Sequence, residues 1–127
     1  MLYDISNRMS EEKEQPIIVS RCKYLGSSLL PSPVESDVTI VLYRDRMIIP
    51  ELDAIIPIDK MSQVELAKGN DLPSEAIMMF GVVGLIVEKE SPYMMIKTAI
   101  NSDRLLFRFE NMLVAGSLLK QIKALSV

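Results

Sequence analysis

The chain has 127 residues, 49% of them apolar, with a formal net charge of −3, one cysteine and no histidine. One hydrophobic core normally serves a chain of this length, and that apolar content can fill it without a disulfide or metal staple. The missing histidine removes Ser-His-Asp and Cys-His nucleophiles and, with a single cysteine, the ordinary zinc and haem ligand sets, while the acidic balance and absent tryptophan argue against nucleic acid as a partner.

Residues 1–15 are polar and charged and read as a flexible lead, with residues 16–127 as a single domain. The lead lacks the basic and apolar regions of a secretory signal, and Met9 offers an alternative start. Residues 17–25 are predicted to form a first strand. Ile18, Cys22 and Tyr24 share one face, with Ser20 as its weak point, and Val19, Arg21 and Lys23 share the other. Cys22 has no partner for an intrachain disulfide. It is expected to be a small core residue, and it fits a reducing, cytoplasmic setting.

Residues 26–36, which include Pro31 and Pro33, are expected to be a loop, because proline cannot feed a central ladder. The β-branched run over 38–43 predicts a strand, which Arg44-Asp45 turns into Arg46-Met47-Ile48-Ile49. That dipeptide is not the Asn-Gly a type I′ turn prefers, so a loop longer by a residue or two is allowed. Pro50 to Asp53 reads as a turn. Residues 55–66 read as a further strand with a break near Ser62, and Pro57 marks an edge or a bulge. Residues 67–75 read as a loop.

Residues 76–87 are apolar on every face, so periodicity does not separate a strand from a helix. The segment falls well short of the roughly 20 residues a spanning helix needs. A small sheet has one inward face, so some of Met78, Met79, Phe80, Val82, Val83, Leu85 and Ile86 should point away from the core. With Gly81 and Gly84 allowing close approach, these seven are the candidates for an interface.

Residues 93–100 and 104–110 predict a hairpin around 101–103. Leu105, Phe107 and Phe109 face inward, Arg104, Arg108 and Glu110 face outward, and Leu106 is the exception. Asn111 then caps a helix whose apolar stripe is Ala115, Leu118, Leu119, Ile122 and Leu125, with Lys120 and Lys123 suited to its negative end. The expected fold is mainly β, with six or seven strands in a barrel or sandwich capped by one C-terminal amphipathic helix.

No GxGxxG or GxxxxGK[ST] motif is present. Asp37, Asp45, Asp53, Asp59, Asp71 and Asp103 fall at expected turns or strand ends, where an aspartate accepts bonds from its own backbone, and no EF-hand spacing links them. Neither catalysis nor a cofactor nor a metal is expected.

The order of elements resembles a known family. Residues 38–49 look like its strand, polar turn, basic residue and apolar strand, and residues 55–66 look like its I-P-hydrophobic-x-x-I-x-x-V segment. The last strand and helix complete a resemblance to the pleckstrin-homology (PH) superfold, in particular the bacterial PH-like and GRAM-like domains. The resemblance implies a non-enzymatic binding or assembly module that engages a protein partner or, peripherally, a membrane surface. The alternative is a homo-oligomer with residues 76–87 between subunits. Lipid-binding members carry basic residues near the loop after the first strand. Lys23, Arg44 and Arg46 mimic that pattern and, with Arg21, are the anion-contact candidates. Yet residues 26–36 hold no Lys or Arg, and Arg44 should lie some 20 Å from that loop at roughly 3.3 Å per residue.

Overall fold

The structure is a computed structural model and describes residues 15–28, 31–72, 90–100 and 102–126. Among the described residues, seven strands form one antiparallel sheet: β1 (Ile18–Ser27), β2 (Pro31–Leu42), β3 (Arg46–Ile49), β4 (Ala54–Pro57), β5 (Met61–Lys68), β6 (Pro92–Thr98) and β7 (Arg104–Arg108). Their order across the sheet is β4-β3-β2-β1-β7-β6-β5. Two meanders, β1 to β4 and β5 to β7, are therefore joined where β1 meets β7. The C-terminal helix, α1 (Met112–Leu125), packs against β5 and β6.

The inward face is read most simply along one cross-strand row. Tyr24 lies opposite Phe107, Phe107 opposite Met94, and Met94 opposite Leu66. Phe107 and Met94 are fully buried, and the Tyr24 and Phe107 rings sit 5.5 Å apart at 47°. Tilted aromatic pairs of this kind add roughly 0.5–1.5 kcal/mol beyond their burial. Ala115, Leu118 and Ile122 of α1 close the same core, with Leu119 and Leu125 packed at its margin. The predicted stripe is thus the buried one. Asn111 caps the helix as expected, its side chain accepting from Val114 N at 2.8 Å.

Leu106, the exception in the alternating pattern of β7, is buried on the opposite face together with Leu25 and Tyr93. The sheet therefore carries a small second cluster there, and Leu106 belongs to it.

Two sequence expectations are corrected. Residues 26–36 are not a loop, because β1 runs on to Ser27 and β2 starts at Pro31. Between Tyr24↔Ser36 and Gly26↔Pro31 the register shifts, so β2 carries extra residues against β1. Proline is tolerated in this stretch because β3 accompanies β2 only at Val41 and Leu42, so that among the described residues β1 is the one strand paired with the Pro31 end. The second correction is that residues 55–66 are two strands. A 3-10 turn at Ile58–Lys60 separates β4 from β5, so the break falls just after Pro57 and ahead of Ser62. Pro57 does end an edge strand, as expected.

The turns otherwise follow their chemistry. Arg44-Asp45 is a two-residue connection, with Tyr43 N donating to Arg46 O at 2.8 Å. Asp53 ends the Pro50–Leu52 turn with φ 52°, a left-handed position that aspartate tolerates better than most residues. Asp103 ties two turns together, since its carboxylate accepts from Ser28 Oγ at 2.8 Å and from Arg104 N at 2.9 Å. Asp37 departs from expectation: it lies inside β2, opposite Lys23.

Glu51 covers part of the free edge of β2. Its carboxylate accepts from Thr39 N and from Thr39 Oγ1, both at 2.8 Å. These bonds hold its pKa below the ordinary 4.5, the backbone bond being the larger cause. The native contact therefore exists above that range and is lost as pH falls through the lowered value. In an NMR pH titration the Thr39 amide should report a midpoint below 4.5. A midpoint at or above it would contradict the contact.

Candidate functional site

A sheet offers partners its unpaired edges, and a folded protein normally blunts the edges it does not use. Among the described residues, the outer edge of β4 is short and ends in Pro57, and that of β2 carries prolines and the Glu51 contact. Among the described residues, two edges have no strand paired to them, β5 and the leading half of β1, and both lie beside α1.

The first is β5, the last strand of the sheet. A groove of about 430 Å³ runs between it and the end of α1, touched by residues 61–65 in succession and by Ile122, Lys123 and Ser126. Successive strand residues point to opposite faces, so a groove touched by five in a row follows the strand edge. Its surroundings mix apolar Met61, Val64 and Ile122 with Ser62, Gln63 and Glu65, and Ser62 Oγ donates to Lys97 O at 3.2 Å.

The second is the leading half of β1. Here a groove of about 440 Å³ is touched by residues 19–23 in succession and by Asn111 and Val114 of α1. Its charged lining residues are Arg21, Lys23, Asp37, Arg108 and Glu110. Lys23 lies directly opposite Arg108, a like-charge pairing that alone would destabilise the sheet. Each cation is tied to a carboxylate of β2, Lys23 Nζ to Asp37 at 2.5 Å and Arg108 Nη2 to Glu35 at 2.7 Å. The hydrogen bond and charge of Lys23 together hold the Asp37 pKa below its ordinary value.

The four anion-contact candidates do not converge. Arg21 and Lys23 line the second groove, where Arg21 Nη1 donates to Thr39 Oγ1 at 3.3 Å. Arg44 and Arg46 sit at the β2–β3 turn, with Arg46 on Asp45 at 2.7 Å and its guanidinium 4.4 Å over the Tyr43 ring. Lys23 lies opposite Asp37, so Arg44 is about 23 Å away along β2, at roughly 3.3 Å per residue. One phosphate thus cannot reach all four, and Lys23 and Arg46 are already held by Asp37 and Asp45. Soluble phosphoinositide headgroups should bind with a dissociation constant weaker than about 10 μM, or −7 kcal/mol. Tighter binding by calorimetric titration would refute this.

The seven interface candidates, Met78, Met79, Phe80, Val82, Val83, Leu85 and Ile86, lie outside the described residues. Sequence reasoning missed both grooves and the Glu35–Arg108 pair. Glu35 fell in the expected loop, and no local pattern signals the pairing of Lys23 with Arg108, which depends on register between distant strands.

No family model and no curated protein matches the sequence. Among solved structures, the chain is similar to Vav1 inhibited by an allosteric inhibitor, with a TM-score of 0.57 and 11% identity over 98% of this chain. The chain spans 32% of the Vav1 chain. That likeness concerns the fold alone. With seven antiparallel strands and one C-terminal helix, it fits a PH-like sandwich. The GRAM-like and bacterial parts of the resemblance have no counterpart in these matches.

Proposed function

We propose that this chain is a non-enzymatic, PH-like binding module that takes an extended segment of a protein partner along β5, against the end of α1. The observation that carries the reading is the groove beside β5. It joins a strand edge that no other strand pairs with among the described residues, which offers main-chain hydrogen bonds, to apolar Met61, Val64 and Ile122, which offer a seat for a side chain. Strand addition of this kind draws affinity from the backbone and specificity from the adjoining pocket. Lys123 and Glu65 at the rim then bias the charge of the segment that fits. A cytoplasmic setting belongs to the same proposal. Its support is the lone buried Cys22, whose thiol is pushed up to about 12, chiefly by burial and secondly by Glu51, and so stays neutral.

The test is selection of displayed random linear peptides on the folded chain, followed by amide NMR mapping. Enriched peptides should shift residues 61–65 and 122–126. Ser62 sits at a register shift against β6, where proline is tolerated, so Ser62→Pro should keep the fold while weakening these peptides about tenfold. Peptides that bind Ser62→Pro as well as the parent would refute the site. Binding only to anionic vesicles would favour the membrane alternative.

A further inference from the structure

The ladder between β2 and β3 stops at a proline. The pairs Val41↔Ile48 and Leu42↔Met47, with Tyr43 N donating to Arg46 O at 2.8 Å, fix the register of the two strands. Hydrogen-bonded pairs of an antiparallel ladder recur at every second residue, so after Tyr43 with Arg46 and Val41 with Ile48 the next is Thr39 with Pro50. Pro50 cannot complete it. It has no N–H to donate, and its carbonyl already accepts from Asp53 N at 3.0 Å within the 3-10 turn Pro50–Leu52.

The side chain of the next residue takes the vacant place. Glu51 Oε1 accepts from Thr39 N and Oε2 from Thr39 Oγ1, so one carboxylate stands in for the carbonyl and adds a second bond. The turn is shaped to hold it there, since the Pro50 ring fixes its first φ and Asp53 closes it in a left-handed conformation. Among the described residues, the ionisable groups that act on this carboxylate or feel it are Arg21 and Cys22, both on β1. Arg21 favours the charged form and reaches the same hydroxyl, Nη1 donating to Thr39 Oγ1 at 3.3 Å. Cys22 is buried and stays neutral.

We infer that Glu51 is a proton-released latch: ionised, its side chain serves as the last rung of the β2–β3 ladder and pins the turn between β3 and β4 to β2, and protonation loosens that turn while the core stays closed. Charge-assisted hydrogen bonds are about twice as strong as neutral ones, and protonation also ends the attraction of Arg21. The latch is therefore closed above the ordinary carboxylate range and opens as pH falls through the lowered value of Glu51. The core is spared because Glu51 is exposed, whereas Met47, Ile49 and Ile56 of the flanking strands are buried. The latch lies at the end of the sheet opposite β5, so it stands apart from the peptide groove.

Amide exchange read by NMR, corrected for the intrinsic rate at each pH, tests it in the parent and in Glu51→Gln, which copies the protonated shape without the charge. Between pH 7 and 3 the parent's Thr39 should lose about tenfold of its protection through a midpoint below 4.5, while the Val41 and Ile96 amides keep theirs. Glu51→Gln should show that reduced protection at every pH and no midpoint, with a melting temperature within a few degrees of the parent's. Thr39→Val, which keeps the amide but removes the hydroxyl, should raise the midpoint toward 4.5. The inference is overturned if Glu51→Gln protects Thr39 at pH 7 as well as the parent does. It is also overturned if Glu51→Gln still titrates and Asp37→Asn does not, because Asp37 is then the group responsible. Loss of Val41 and Ile96 protection together with Thr39 would overturn it as well, since the acid step is then global unfolding.

Discussion

Truncating the chain after Glu110 is expected to leave protein without a cooperative thermal transition. The lost helix contributes Ala115, Leu118 and Ile122, all at 1% exposure or less, to the core that includes Ile40, Met94 and Ile96. Burying Leu118 and Ile122 is worth about 1.5–3 kcal/mol each. A domain of this size holds only about 5–15 kcal/mol in total. Removing α1 also bares the sheet residues it covers, so the shortened chain should bind a hydrophobic dye and lose its aromatic circular dichroism while keeping strand signal. A truncated chain that melts sharply near the parent temperature would show that the sheet closes its own core.

The second large effect is expected at the seam between the two meanders. Phe107→Ala should cost about 3–5 kcal/mol, because a fully buried ring leaves a cavity that neighbours fill only in part. Phe107 is where β7 meets β1, opposite Tyr24 on one side and Met94 on the other. Its loss should act on the seam first, speeding amide exchange over residues 23–27 more than over β3 and β4. Urea unfolding should show a lower midpoint at an unchanged slope. A loss under about 1 kcal/mol would mean that the two meanders are held elsewhere.

Local chemistry was legible in the sequence. The alternation of Ile18, Ser20 and Cys22 against Val19 and Arg21 marked the faces of β1, and even its weak point at Ser20 is the buried hydroxyl without a partner. The helix stripe, its Asn111 cap and the mainly β class with one terminal helix were equally readable, because each depends on residues three or four apart, or on two-residue alternation. Pro31 and Pro33 misled, since a proline shows that its own N–H is missing but not whether a neighbouring strand needs it. Only the arrangement of strands decides that, and here β3 ends before reaching them. The same holds for function. Whether an edge is open, and whether Lys23 meets Arg108 or a carboxylate, follows from register between strands some eighty residues apart, fixed by the packing of the whole core. Two-residue and three-to-four-residue periodicity marks which side chains face inward. Where the sheet stops follows only from the packing of all its strands.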